Sequence, residues 1–159
     1  MSAHSNYQAI IASPLGPLGI VSRNEALCRI DFLPEDTALS PPADAAARRA
    51  AAQLRRYFGE PGWSFSLPLR PAGTPFQQSV WRQLQQIPAG QTRSYGHIAR
   101  ALDSGPRAVG NACRANPLPI VIPCHRVVAA NGPGGYAGRT EGRNMEIKRW
   151  LLAHEGIAP

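Results

Sequence analysis

Pro117-Leu118-Pro119-Ile120-Val121-Ile122-Pro123-Cys124-His125-Arg126-Val127-Val128 is the stretch on which the fold and the chemistry of this chain turn. Ile120 to Ile122 is apolar, β-branched and bounded by prolines, which predicts a short buried strand. Pro123 has no N–H to donate to a ladder, so the strand is expected to end there. Cys124 and His125 then sit at its mouth, followed by a second apolar pair, Val127 and Val128. An imidazole beside a thiol can take its proton, and the thiolate is the nucleophile. By itself such a pair is more often chance, the cysteine serving as a small buried hydrophobe; its context has to decide.

Upstream, Thr74-Pro75 supplies an N-cap and a first-turn proline for a helix over Phe76–Ile87, with Phe76, Val80, Trp81, Leu84 and Ile87 on one face. Pro88-Ala89-Gly90 ends it. Ser94 can cap a second helix, Tyr95–Leu102. A turn at Asp103-Ser104-Gly105 and Pro106 then open a third, Arg107–Ala115. Two short helices joined by a tight glycine-containing turn outline a helix-turn-helix, which alone is weak evidence of DNA binding. Arg107 and Arg114 share a face of the third helix. Ala108, Gly110, Ala112 and Ala115 thin it, which suits close packing or close approach to a DNA backbone. Downstream, Asn131–Gly138 is glycine-rich, and residues 139–145 read as a solvated loop because Gly142 interrupts them without an apolar pair. A last helix is predicted over Glu146–His154, with Ile147, Trp150 and Leu151 facing the core and Glu155 just past its end.

Toward the N-terminus, β-prone runs at Tyr7–Ser13 and Leu18–Ser22 flank Pro14-Leu15-Gly16-Pro17, a hairpin signal. Leu27–Leu33 predicts a third strand, Pro34–Asp44 a loop, and Ala45–Phe58 a helix with Ala50, Leu54, Tyr57 and Phe58 on one face. Gly59-Glu60-Pro61-Gly62 stops it, and Trp63–Leu69 reads as one more strand. This half is a small α+β domain with no obvious chemistry. Pro71-Ala72-Gly73 looks like the joint, giving domains at residues 1–70 and 71–159.

At 159 residues the chain can bury a substantial core. Seven arginines against six acids leave residues 1–70 at +1, whereas nine arginines and Lys148 against four acids leave residues 71–159 at +6. A basic C-terminal half suits a polyanionic partner, or a solvated arginine-rich surface. Three cysteines, Cys28, Cys113 and Cys124, without CxxC spacing argue against a disulfide framework or a zinc cluster and for a reducing cytoplasm. No apolar run is long enough for a transmembrane helix, and Met1–Tyr7 lacks the pattern of a signal peptide.

Pro123-Cys124-His125-Arg126-Val127, with Arg107-Ala108-Val109-Gly110 and Asn116-Pro117 upstream, and with Gly135-Tyr136-Ala137-Gly138 and Lys148-Arg149-Trp150-Leu151-Leu152-Ala153-His154-Glu155-Gly156 downstream, resembles the signature of the O6-alkylguanine-DNA alkyltransferases. The resemblance implies an RNase H-like N-terminal domain and a helix-turn-helix, winged-helix-like C-terminal domain. It implies irreversible transfer of an alkyl group from O6 of guanine in double-stranded DNA to Cys124. His125 is then the base, acting through a water, Glu155 orients it, and Asn116 fixes the strand. Arg107 replaces the flipped base in the stack, and Tyr95 bonds that base and assists the leaving group. Val127 walls the pocket, Tyr136, Ala137 and Gly138 close over it, Arg114 reaches phosphate, and Ala108 and Gly110 lie against DNA. Arg126 is expected to be a structural ion-pair partner. No cofactor and no metal are expected, although some family members carry a structural zinc, and a monomer is expected. The departure from the family pattern is the extra length between Gly138 and Glu146. A cysteine hydrolase with the same trio, a non-enzymatic damage-binding module and a helix-turn-helix transcription factor are the rival readings.

Overall fold

A computed structural model describes residues 6–129 and 142–157. The chain divides into two units, Met1–Ala72 and Gly73–Pro159. In the first, β1 (Ala9–Ile11), β2 (Leu18–Arg23) and β3 (Ala26–Phe32) form an antiparallel meander in that order. Asn24 and Glu25 both take positive φ (50° and 65°), the pattern of a two-residue hairpin turn that matches strand twist. The register slips between Val21 and Ser22, a bulge. Gly19 is needed where it stands: a Cβ there would lie 2.5 Å from the Tyr7 ring. Tyr7 lies over β2 and donates its hydroxyl to Asp31 at 2.7 Å.

Helix α1 (Ala45–Gly59) buries Ala46, Ala47, Ala50, Ala51, Leu54 and Tyr57. Small side chains let its axis come close to the sheet. Asp44 caps it by accepting from the Ala47 N–H at 2.7 Å, and accepts from the Ser22 hydroxyl as well. The strand expected over residues 63–69 does not form. Pro68 can offer only its carbonyl, to Leu27 N–H at 2.9 Å, and a single bridge joins Leu27 to Leu69. The Gln53 amide bonds both backbone groups of Ser66, so a side chain replaces the ladder.

In the second unit α2 (Pro75–Gln85) starts with a full capping box between Thr74 and Gln77. Strand β4 (Arg93–Ser94) leads straight into α3 (Tyr95–Ala101), and a turn with Asp103 at φ +52° leads to α4 (Pro106–Arg114). Trp81 on α2 donates its indole N–H to the Ala112 carbonyl at 2.9 Å. Ile98, Ala99, Val109 and Ala112 are buried, giving the three-helix arrangement that the spacing predicts.

The run Ile120–Ile122 is buried but is not a strand. Pro117, Pro119 and Pro123 remove three donors, and the Ile122 carbonyl is taken by the Asn116 amide at 2.8 Å. The chain instead coils, with Ile122 N–H on the Leu118 carbonyl at 2.8 Å and Ile120 at φ +76°. That conformation costs a β-branched residue about 1–3 kcal/mol. The strand lies further on: β5 (Val127–Val128) pairs in parallel with β4.

Helix α5 (Arg143–His154) begins earlier than predicted. Arg143, Asn144 and Met145, expected in a solvated loop, form its first turn, because Met145 is buried. Trp150 is only half-buried and stacks on His154 with 4.7 Å between centroids. Among the described residues no helix is long and apolar enough to cross a membrane.

Candidate active site

Cys124 is placed by a sequence of short backbone devices. The Asn116 side chain accepts from Leu118 N–H at 2.9 Å and donates to the Ile122 carbonyl. Pro123, at φ −81° and ψ 67°, forms an inverse γ-turn in which Cys124 N–H returns to the same carbonyl at 2.8 Å. A single 3-10 turn, Cys124–Arg126, follows. Asn116 lies one residue beyond the Ala115 cap of α4, and its side chain holds the turn that leads to Cys124.

Glu155 is buried at the other end of the unit's chain, not exposed as a chain-end carboxylate would be. Gly156, at φ +82°, closes α5: its N–H meets the Ala153 carbonyl, and Ile157 N–H meets that of Leu152. This Schellman ending requires a left-handed residue after the cap, which is the physical reason for glycine following Glu155. The same ending fixes where Glu155 points. Its Oε2 lies 2.8 Å from His125 Nε2. Arg126 grips both oxygens, Nε to Oε1 at 2.8 Å and Nη2 to Oε2 at 2.9 Å, and donates Nη1 to the Ile87 carbonyl. Arg126 is therefore the ion-pair partner expected of it.

An ionised carboxylate only accepts, so His125 Nε2 carries the hydrogen and Nδ1 is left with its lone pair. Nδ1 is buried and has no hydrogen-bond partner among the described residues. Burial holds the His125 pKa below its ordinary value; the Glu155 hydrogen bond pulls it up, and the charges of Glu155 on one side and Arg126 and Lys148 on the other oppose each other. A lowered pKa favours the neutral imidazole at neutral pH.

Lys148 is a site residue that reading the sequence for chemistry missed. It is fully buried on α5, and its Nζ donates to the Val127 carbonyl at 2.8 Å and stands 5.9 Å from the Tyr95 ring centroid. Burial lowers its pKa to about 8, against the opposing pull that negative charge on Cys124 or Cys113 exerts. The signal was available: Ile147, Lys148, Leu151 and Leu152 are spaced as one buried helix face. The parallel β4–β5 pair sets Arg93 opposite Val127 and Ser94 opposite Val128, and Lys148 links the Val127 carbonyl to the neighbourhood of the Tyr95 ring. Burial raises the Tyr95 pKa, as do the nearby thiols, so its hydroxyl remains a donor. Burial likewise pushes the Cys113 thiol up, leaving it a poor nucleophile.

Arg107 and Arg114 are exposed on α4, with Gly110 half-buried between them and Ala108 also half-buried. Asn111, exposed on the same face, was not singled out from sequence, although its spacing from Arg107 and Arg114 places it there. A Cβ on Gly110 would meet nothing within 4 Å, so the protein's own packing does not require a glycine there. Tyr136, Ala137 and Gly138 lie outside the described residues. Among the described residues no group of three His, Cys, Asp or Glu side chains could hold a metal.

Fold and site together define a two-unit protein whose helix-turn-helix half encloses a Cys-His-Glu constellation. The chain belongs to the 6-O-methylguanine DNA methyltransferase family: residues 75–157 match its DNA binding domain and residues 6–71 its ribonuclease-like domain. It is 40% identical to the methylated-DNA–protein-cysteine methyltransferase of Methanosarcina acetivorans, over 94% of this chain and 98% of that one. It is 41% identical to the constitutive enzyme of Bacillus subtilis, over 96% and 97%. The crystal structure of Mycobacterium tuberculosis O6-methylguanine methyltransferase superposes with a TM-score of 0.77 at 40% identity, covering 94% of this chain and 93% of that chain. The structure of the OGT of that organism in complex with DNA does so at 0.76 and 38%, covering 92% and 91%.

Proposed function

We propose that this protein repairs DNA by direct reversal, moving a methyl or larger alkyl group from O6 of guanine, with O4 of thymine as an alternative donor, onto Cys124. The observation that carries the proposal is the buried His125–Glu155 pair immediately after Cys124, with the Nδ1 lone pair of His125 unclaimed by the described residues. His125 takes the thiol proton through a bridging water, and Glu155 orients the ring and stabilises the imidazolium that forms. The sulfur attacks the alkyl carbon, the S–C bond forms as the C–O6 bond breaks, and guanine leaves. Tyr95 donates to the departing base as charge develops on it. Asn116 holds the Cys124 turn, and the Val127 backbone, gripped by Lys148, presents a wall of the pocket. A thioether has no easy leaving group, so the protein is consumed, without a cofactor.

The target atom lies inside the duplex, so the base is flipped out. Arg107 fills its place, Arg114 contacts phosphate, and the flat surface at Ala108 and Gly110 lets α4 approach the backbone. Tyr136, Ala137 and Gly138 close over the extruded base. An α4 face without a base-reading set of side chains suits lesion search without sequence preference. A monomer and a reducing cytoplasm suit a single acceptor thiol that must stay reduced.

The test is the protein's mass after incubation with duplex DNA containing O6-methylguanine. One added methyl per chain, on the peptide holding Cys124, is the expected result. Product in large excess over protein would move the assignment to a hydrolase with the same trio, and methyl on Cys113 would move the acceptor.

A further inference from the structure

We infer that Arg126 is a positioning residue that keeps His125 unprotonated at rest: by forking onto Glu155 it lets the carboxylate orient the imidazole without holding a second proton on it. The inference rests on the reading of His125 as base. Glu155 Oε2 is shared, accepting from His125 Nε2 at 2.8 Å and from Arg126 Nη2 at 2.9 Å, while Oε1 accepts Arg126 Nε at 2.8 Å. A bridge that served only to tie α5 down could sit on the far oxygen alone. Here the two cationic candidates compete for one atom. The side chains of His125 and Glu155 are completely buried and that of Arg126 is 9% exposed. At such depth a lone carboxylate would favour the imidazolium strongly, and a bidentate guanidinium cancels most of that pull.

The third arm of Arg126, Nη1 on the Ile87 carbonyl, anchors the fork to the segment that follows α2. That bond opposes any swing of the fork off Glu155 when His125 charges. The charged groups facing His125 are Glu155 at the end of α5, Lys148 within α5 and Arg126 in the same turn. Arg126 is the one that touches the oxygen His125 uses. With Arg126 and Glu155 neutral as a pair, the imidazolium that forms when the Cys124 proton reaches His125 faces no net charge from that pair.

The experiment is an NMR titration of the His125 imidazole in the full-length protein without DNA, paired with the pH dependence of single-turnover methyl transfer. It compares wild type with Arg126→Lys and Arg126→Met. Arg126→Met is expected to raise the His125 midpoint by about one pH unit and to move the acid limb of the rate profile up with it. Arg126→Lys, which retains charge but not the fork, should fall between, with its rate recovering toward wild type at high pH. His125 midpoints within about 0.2 unit of wild type, with a rate loss equal at every pH, would reduce Arg126 to a structural tie. If Arg126→Met does not fold, an unchanged midpoint in Arg126→Lys overturns the inference alone. The midpoint is read without substrate, so a wild type that transfers no methyl would sink the proposed activity and leave this test standing.

Discussion

Among the described residues the N-terminal unit buries one polar side chain, Ser22, and no charged one, whereas the C-terminal unit buries His125, Arg126, Lys148 and Glu155. Burying ionised groups is costly unless each is paired and hydrogen-bonded. The first unit avoids that cost: its interior is mostly alanine, leucine and isoleucine, with Val21 and Tyr57, and its polar Asp44 is spent on a helix cap. The second accepts it: Glu155 pairs with His125 and Arg126, and Lys148 bonds the Val127 carbonyl, in and next to the turn that holds Cys124. The difference teaches that the two halves are built to different ends, one for stability and one for a charge arrangement that a purely apolar core would not need.

The comparison breaks first at Cys124. Cys124→Ala is expected to abolish methyl transfer completely while DNA affinity and melting temperature stay near wild type; transfer that persisted would show that the buried charges serve another thiol. Next come two substitutions of similar thermodynamic size and opposite functional outcome. Glu155→Gln leaves Arg126 and His125 without their counter-charge and should cost about 3–5 kcal/mol together with most of the transfer rate. Leu54→Ala in α1 should cost about 2–5 kcal/mol, yet the protein that remains folded should react at the wild-type rate. Urea melts and single-turnover kinetics on both variants decide, and a Leu54→Ala protein that is folded but slow would erase the contrast.

A smaller effect is expected at Tyr95. Tyr95→Phe should slow transfer about tenfold, or roughly 1.4 kcal/mol, with little change in DNA affinity, since its hydroxyl matters as charge appears on the leaving base. Weakened binding at an unchanged rate would make Tyr95 a positioning residue only. The smallest effect is on stability against pH. The folded-state pKa of His125 lies below its unfolded value, so below about pH 6.5 the unfolded chain binds the proton and the folded chain does not. Stability should then fall as pH drops through that range, by at most about 1.4 kcal/mol per pH unit. His125→Gln should flatten the slope, and urea melts at several pH values would expose a slope that survives the substitution.

The same contrast governs how much could be read from sequence. In the N-terminal unit the hairpin, β3 and α1 follow from local pattern, because alternation and an alanine-rich face act within a few residues. Where that unit surprised, at residues 63–69, a distant side chain, Gln53, had taken the backbone groups that a ladder would have used. In the C-terminal unit the Thr74 N-cap and the helix-turn-helix were also legible, and the family resemblance pointed to the His125–Glu155 pairing that the structure shows. Ile120–Ile122 was not: its composition says strand, but three prolines and the Asn116 amide leave it too few free donors and acceptors to pair. Lys148 was hidden because a lysine is normally read as surface, and Met145 because Gly142 masks the helix start.

By itself, then, the amino-acid sequence determined most of the helices, the Thr74 and Ser94 caps, the meander and the partition of charge between the halves, since each depends on neighbours within a turn or two. Only the tertiary structure decided that Glu155 is buried against His125, some thirty residues away, that Arg126 shares its oxygen, and that Lys148 grips Val127 beside Tyr95. Those placements rest on where a Schellman ending, a γ-turn at Pro123 and a two-residue parallel pair carry the chain. Such devices fix direction in space, and the positions they bring together leave no periodic trace in the sequence.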